Sequence, residues 1–336
     1  MVKAKQSKRF GMIGAAVGAV MIVALTIPAG AANATGSDAA GTAQAATGAA
    51  VDAASTATGT DALTADAARA AVPTGVVTLG DSFSSGLGSG GYYNDCDNTA
   101  NAWGNLIFGS SVTNRSLIAC SGATMPTVRA QLASIPTGSG RLITVTVGGN
   151  DMGFANELKD CFLSNCTDRE ATLTAKISAL VGPLTQLYRE IRSATPNDRL
   201  IVGGYPLLVP DPGVQSSCSA LTFLLTSAER QMVRRLGVQL NDAIDRAAAA
   251  AGVPAVTTAL ETRFAGHEAC KNSTSWINGL KITLWSSVDG VDRLTNEAEE
   301  VYIEPQAEIV AGWIRDSFHP NGPGQTAYAA AFQAAY

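Results

Sequence analysis

Histidine is almost absent: the 336 residues contain two, His267 and His319. A poly-histidine metal site is excluded, and any mechanism needing an imidazole base has two candidates. No Cys-x-x-Cys occurs, and neither histidine lies near the first four of the six cysteines, so a cysteine-based metal site fails on spacing. Charge is scarce at 15%, and basic charge scarcer: 23 Lys and Arg stand against 28 Asp and Glu, a net of −5. Four of the basic residues (Lys3, Lys5, Lys8, Arg9) sit in the first nine positions, and without them the balance is 19 to 28. Such a surface repels phosphate backbones and anionic lipid, which argues against nucleic acid as a partner. No metal or cofactor is implied.

Hydrophobic residues, by contrast, make up 46% of the chain, enough for a sizeable core. Lys8 and Arg9 are followed by an uncharged stretch from Phe10 to Ile27, then Pro28 and Ala32-Asn33-Ala34. A basic start, an apolar middle and an A-x-A exit describe a secretory signal peptide over 1–34. An uncleaved anchor fits less well, because Gly11, Gly14 and Gly18 weaken the apolar helix. Residues 35–73 hold 16 alanines in 39 positions and no aromatic residue, the composition of a disordered tether. Residues 74–336 are left as one folded domain. The expected product is an extracellular monomer, with cell-wall association possible, that makes no stable membrane insertion once the leader is cleaved.

The six cysteines, Cys96, Cys120, Cys161, Cys166, Cys218 and Cys270, all lie in that domain. An even count in an exported chain predicts three disulfides. Pairing neighbours gives Cys96–Cys120, Cys161–Cys166 and Cys218–Cys270, each closing one loop and each contributing about 2–4 kcal/mol.

Val76 to Leu79, Leu142 to Val147 and Leu200 to Val202 are short apolar, β-branched runs, each ending on glycine as buried strands do. Pro254 to Thr257 is a weaker fourth, and Val112 to Leu117 a candidate fifth. Helical periods fill the intervals Ala171 to Ser193 and Ser227 to Ala251, the second ending on Gly252, a good C-cap. The pattern predicts an α/β fold with a parallel five-stranded sheet covered on both faces. In such sheets the loops leaving the strand C-termini build the site.

Two of those exits and one C-terminal segment carry chemistry. Gly80-Asp81-Ser82 puts a serine at a helix N-terminus, where developing negative charge is favoured. Gly148-Gly149-Asn150-Asp151 lets backbone approach a ligand and offers an amide to an oxyanion. Asp316-x-x-His319-Pro320 can set a carboxylate beneath an imidazole. Each alone is matched by a plain alternative: a capping serine, an ordinary Gly-Asn-Asp turn, a surface histidine in a Pro-Asn turn. Gly86-Leu87-Gly88-Ser89-Gly90-Gly91 matches G-x-G-x-x-G, but it comes too late after the strand and leads into no helix, so it reads as a loop beside the serine. His267, three residues before Cys270 and without a Pro-Asn context, reads as a loop histidine.

Taken in order, Gly80-Asp81-Ser82, Gly122 within Ala119-Cys120-Ser121-Gly122-Ala123-Thr124, Gly148 to Asp151, and Asp316-x-x-His319-Pro320 resemble the SGNH hydrolases, also called GDSL lipases and esterases. The resemblance runs from about Val76 to the C-terminus and is nearest the secreted bacterial lipases and esterases of that family, which tend to carry three disulfides. It implies a flavodoxin-like three-layer α/β/α sandwich. It implies Ser82 as nucleophile, His319 as general base and acid, and Asp316 to orient the histidine, a role that some members give to a backbone carbonyl. The oxyanion hole it implies comprises the N–H groups of Ser82 and Gly122 and the side-chain amide of Asn150. The implied activity is hydrolysis of lipid or short acyl esters through an acyl-enzyme. A carbohydrate O-acetyl esterase is the alternative, followed by a non-catalytic cell-wall binding protein. No Gly-x-Ser-x-Gly occurs, so the nucleophile elbow of the α/β-hydrolases is absent.

Overall fold

The structure, a computed structural model, describes residues 72–154, 157–158, 161, 165–215, 225–269, 274–279 and 316–336. The expected leader and nearly all of the expected tether lie outside these residues. So does the Cys218–Cys270 pair.

Four strands form one parallel sheet: β1 (Val76–Gly80), β2 (Arg115–Leu117), β3 (Leu142–Thr146) and β4 (Arg199–Val202), in the order β2-β1-β3-β4. Every residue of β1 and β3 is buried, which a sheet with one wet face cannot give. The helices that cover it fall into two sets. One contains α3 (Met125–Gln131), α4 (Glu170–Ala179), α5 (Val181–Ala194) and α6 (Ser227–Ala251); the other contains α2 (Trp103–Leu106), α7 (Thr257–Phe264) and α8 (Gly322–Ala335). The short helix α1 (Ser82–Ser85) leaves the end of β1.

Five strands were expected, and four are found among the described residues. The run at Pro254 to Thr257 makes only one parallel bridge, Val202 to Ala255. The Val202 N–H donates to the Pro254 carbonyl, and the Val256 N–H donates to the Val202 carbonyl, each at 2.9 Å. Pro254 has no N–H to extend the ladder and α7 begins at Thr257, so the strand stops at a single step. The order 2-1-3-4 is otherwise that of a flavodoxin-like sheet without its last strand. The helical period expected over Ala171 to Ser193 is two helices. Pro183 cannot donate to the Ala179 carbonyl, so the chain breaks at Leu180 and restarts. Helix α6 runs as expected. Thr226 and Glu229 form a reciprocal capping box at its start, and Gly252 ends it with φ 68°.

Cys96–Cys120 and Cys161–Cys166 are bonded, as the spacing predicted. The first closes a loop with a sequence separation of 24. Replacing Cys96 and Cys120 together with alanine is expected to cost about 3 kcal/mol by restoring freedom to the unfolded chain. Urea unfolding checks this: a midpoint equal to that of the parent would show that the bond is not structural.

Candidate active site

The two central strands β1 and β3 send their chains to opposite sides, and ligands bind in the crevice that opens there. Ser82 leaves β1 at this point and Gly148-Gly149-Asn150 leaves β3. Gly80 makes the turn possible. Its φ is 120°, and a Cβ there would sit 2.2 Å from the Thr146 carbonyl oxygen. Asp81 follows as the N-cap of α1, its Oδ1 accepting from the Phe83 N–H at 3.1 Å. Ser82 is the first helical residue, so its own N–H has no partner within the helix. From outside, the Gln131 side chain imitates a strand neighbour: it accepts from the Gly80 N–H at 2.8 Å and donates to the Gly80 carbonyl at 2.9 Å.

His319 reaches this helix end from the far terminus of the chain. Its Nε2 lies 2.8 Å from Ser82 Oγ, and its Nδ1 lies 2.9 Å from the Ser317 carbonyl oxygen. A carbonyl only accepts, so Nδ1 carries the proton and Nε2 presents a lone pair to the serine hydroxyl. Phe318, between the two partners, has φ 59°, the turn that brings the Ser317 carbonyl round to its own neighbour's ring. The Asp316 carboxylate accepts from the Tyr92 hydroxyl at 3.0 Å. The acceptor found at Nδ1 is thus the backbone carbonyl that the resemblance allowed as the alternative to Asp316. Burial and the Asp316 charge push the Tyr92 phenol up to about 12. Gly88, in the glycine-rich loop, packs so close that a Cβ would meet His319 Cβ at 2.7 Å. That loop therefore sits against the histidine and opens no nucleotide-binding helix.

The expected oxyanion donors converge on the same end of the sheet. The Cys120 N–H donates to the Gly80 carbonyl at 3.0 Å, which sets the loop carrying Gly122 beside the nucleophile turn. A Cβ at Gly122 would meet nothing within 4 Å, so this backbone faces open space. Asn150 Nδ2 donates to the Ala123 carbonyl at 3.0 Å, and both oxygens of Asp151 accept from the Met125 N–H at 3.0 and 3.2 Å. The second donor loop is thereby fixed to the first. Asp151 is pushed up by burial.

Beneath Ser82, Asp81 is fully enclosed and burial raises its carboxyl to about 6. It accepts from Thr146 Oγ1 at 2.8 Å and from the Tyr205 hydroxyl. Neither partner is visible as a motif, since they lie 65 and 124 residues away in sequence. His267 stands apart: its ring stacks on Trp276 at 3.7 Å and Nδ1 lies 2.6 Å from the Thr274 carbonyl oxygen. Among the described residues no three His, Cys, Asp or Glu side chains cluster as metal ligands, and no helix is long and apolar enough to cross a membrane.

Known proteins are similar to this chain in sequence and in fold. Lipase 1 of Streptomyces coelicolor is 34% identical over 218 residues, covering 61% of this chain and 78% of that protein. The crystal structure of phospholipase A1 from Streptomyces albidoflavus NA297 superposes with a TM-score of 0.62 at 30% identity, over 78% of this chain and 99% of that one. An extracellular lipase from Streptomyces rimosus gives 0.61 at 29%, over 78% and 100%. The model of the GDSL-like lipase/acylhydrolase family matches residues 78–327, from the middle of β1 through the histidine segment into α8, and the chain belongs to that family.

Proposed function

We propose that the protein is an exported serine esterase that hydrolyses carboxylic esters of lipids or short acyl chains, acting as a monomer without metal or cofactor. The 2.8 Å contact between Ser82 Oγ and His319 Nε2 carries the proposal, because the partner at Nδ1 fixes the tautomer a general base requires. His319 takes the Ser82 proton as Oγ adds to the ester carbonyl carbon. The carbonyl oxygen becomes an oxyanion facing the N–H groups of Ser82 and Gly122 and the free amide hydrogen of Asn150. Collapse breaks the bond to the alcohol oxygen, which leaves with the proton from His319 Nε2. Water then repeats the sequence on the acyl-enzyme and releases the acid. The Ser317 carbonyl dipole stabilises the imidazolium that forms twice in each cycle.

Export is supported by the basic, apolar and A-x-A order of residues 1–34, and by the extracellular character of the Streptomyces rimosus relative. Hydrolysis of p-nitrophenyl esters from acetyl to palmitoyl, with Ser82→Ala alongside, tests the proposal. Serine-dependent turnover on chains longer than acetyl is the expected result. Preference for acetyl would move the assignment to a carbohydrate O-acetyl esterase. No turnover above the variant on any chain would leave a binding protein.

A further inference from the structure

The residue after the third glycine-ended strand was not a sequence candidate, yet it touches both halves of the site. Tyr205 lies three residues beyond β4 and is buried. Its hydroxyl donates to Asp81 Oδ2 and accepts from the Gly149 N–H at 3.2 Å. Asp81 immediately precedes Ser82, and Gly149 immediately precedes Asn150. One oxygen atom thus joins the turn that holds the nucleophile to the loop that holds the side-chain oxyanion donor. The ring adds a second tie, packing edge-on against Phe83 with centroids 5.0 Å apart, and Phe83 in turn lies 5.0 Å from the His319 ring.

The tyrosine is itself held at its backbone. Asn241 on α6 accepts from the Tyr205 N–H at 2.9 Å and donates to the Tyr205 carbonyl at 2.7 Å, and its amide also donates to Glu261 at 2.6 Å. A Cβ at Gly204 would meet Asn241 Oδ1 at 2.4 Å, so the backbone is drawn tightly onto that amide. The path from α6 to the hydroxyl is short, buried and fully hydrogen-bonded, as a positioning element needs to be.

We propose that Tyr205 is a positioning residue for ester hydrolysis, its hydroxyl setting the distance between Ser82 and the Asn150 amide by holding Asp81 and Gly149 on one atom. The inference rests on Ser82 and Asn150 acting as proposed above. Its chemistry depends on an ionised Asp81. The hydroxyl has one proton, which goes to Oδ2, leaving a lone pair for Gly149. A proton on Oδ2 would face that hydroxyl hydrogen and turn it away, loosening the clamp.

The titratable groups facing Asp81 from the elements around it are Tyr205, Tyr188 on α5 and Tyr328 on α8, with His319 joined to the adjacent Ser82. Burial raises all three phenols, so they stay neutral through the assay range. Of Asp81 and these phenols, only the Asp81 carboxyl, raised by burial to about 6, changes charge there. The Tyr205 hydrogen bond lowers the Asp81 carboxyl against its burial. Removing the bond raises that carboxyl further, and strengthening it brings the carboxyl down.

Tyr205→Phe in the full chain is the test, together with 3,5-difluorotyrosine at the same position, which keeps the hydroxyl and makes it a stronger donor. In Tyr205→Phe, kcat on a p-nitrophenyl ester is expected to fall about tenfold with KM within twofold, because a displaced donor is felt in the transition state. The acid limb of the pH profile is expected to move to lower pH in the difluoro variant, and the part of it set by Asp81 is expected to be lost in Tyr205→Phe, which has no hydroxyl for the Asp81 proton to turn away. Tyr328→Phe removes a comparable buried hydroxyl bond, to the Gly204 carbonyl at 3.0 Å, and is expected to lower the melting temperature while leaving the limb in place. A fall in kcat of less than threefold, or a limb unmoved in the difluoro variant, overturns the inference. Loss of all turnover in Ser82→Ala alongside keeps that failure distinct from failure of the serine assignment itself.

Discussion

Ser82→Ala is expected to lower kcat on any ester by on the order of 10⁵–10⁶-fold, to the level supplied by the oxyanion donors and binding alone. The substitution removes one oxygen from a nearly buried side chain and leaves its Cβ, its helix and the Asp81 cap in place. The hydroxyl's bond is to His319 Nε2, so no structural hydrogen bond is expected to be lost with it beyond that one. The melting temperature is expected to stay within a few degrees, and the loss of rate is therefore a loss of chemistry. His319→Ala is expected to cost a similar factor, and the double variant no more than either single one. A nucleophile without its base and a base without its nucleophile are the same defect.

His267→Ala supplies the contrast. It breaks a stack with Trp276 and a bond to the Thr274 carbonyl, and is expected to lower stability modestly with kcat unchanged. Loss of turnover in His267→Ala with retention in His319→Ala would overturn the assignment of the base. Labelling by an organophosphonate separates the serine from all other hydroxyls. Stoichiometric modification is expected in the parent and none in Ser82→Ala, and labelling that survives the substitution would place the nucleophile elsewhere.

The parts of this site that could be read from the sequence were those announced by local chemistry. Gly80-Asp81-Ser82 follows an apolar run, and its glycine is required by the approach of the Thr146 carbonyl. Gly148-Gly149-Asn150 follows another such run. The central strands were legible for the same reason: a strand buried on both faces is apolar at every position and needs no partner to be recognised. Helix α6 announced its C-terminal end by Gly252. What was hidden depends on distance along the chain or on backbone atoms. Gln131 answers Gly80 across 51 residues and Tyr205 answers Asp81 across 124, and neither has a spacing to betray it. The acceptor at His319 Nδ1 is a main-chain oxygen, which every residue possesses, so the sequence pointed to the nearest carboxylate, Asp316, instead. The missing strand and the split helix had visible causes in Pro254 and Pro183. Apolar periodicity registers burial, whereas these prolines act on hydrogen bonding, and the two signals have to be read separately.

Asn150→Ala is expected to lower kcat by about 10²–10³-fold with little change in KM, which is the cost of removing one donor from an oxyanion hole. The amide has two hydrogens. One is already given to the Ala123 carbonyl, which holds the side chain in place before substrate arrives, and the other is the one proposed to meet the oxyanion. An amide fixed in advance pays no reorganisation when charge develops, and the effect therefore belongs to the transition state and to kcat. The loss is smaller than for Ser82 because the two backbone donors stay, and no side-chain substitution reaches them. Asn150→Asp distinguishes donation from shape. It keeps the volume, removes both hydrogens and places a carboxylate where negative charge must form, so it is expected to be worse than alanine at neutral pH. As the pH falls and the new carboxylate is protonated, that extra penalty is expected to shrink. A shape-only role predicts the reverse order, with Asn150→Asp retaining more activity than Asn150→Ala, and steady-state kinetics of the two variants on one p-nitrophenyl ester decides between them.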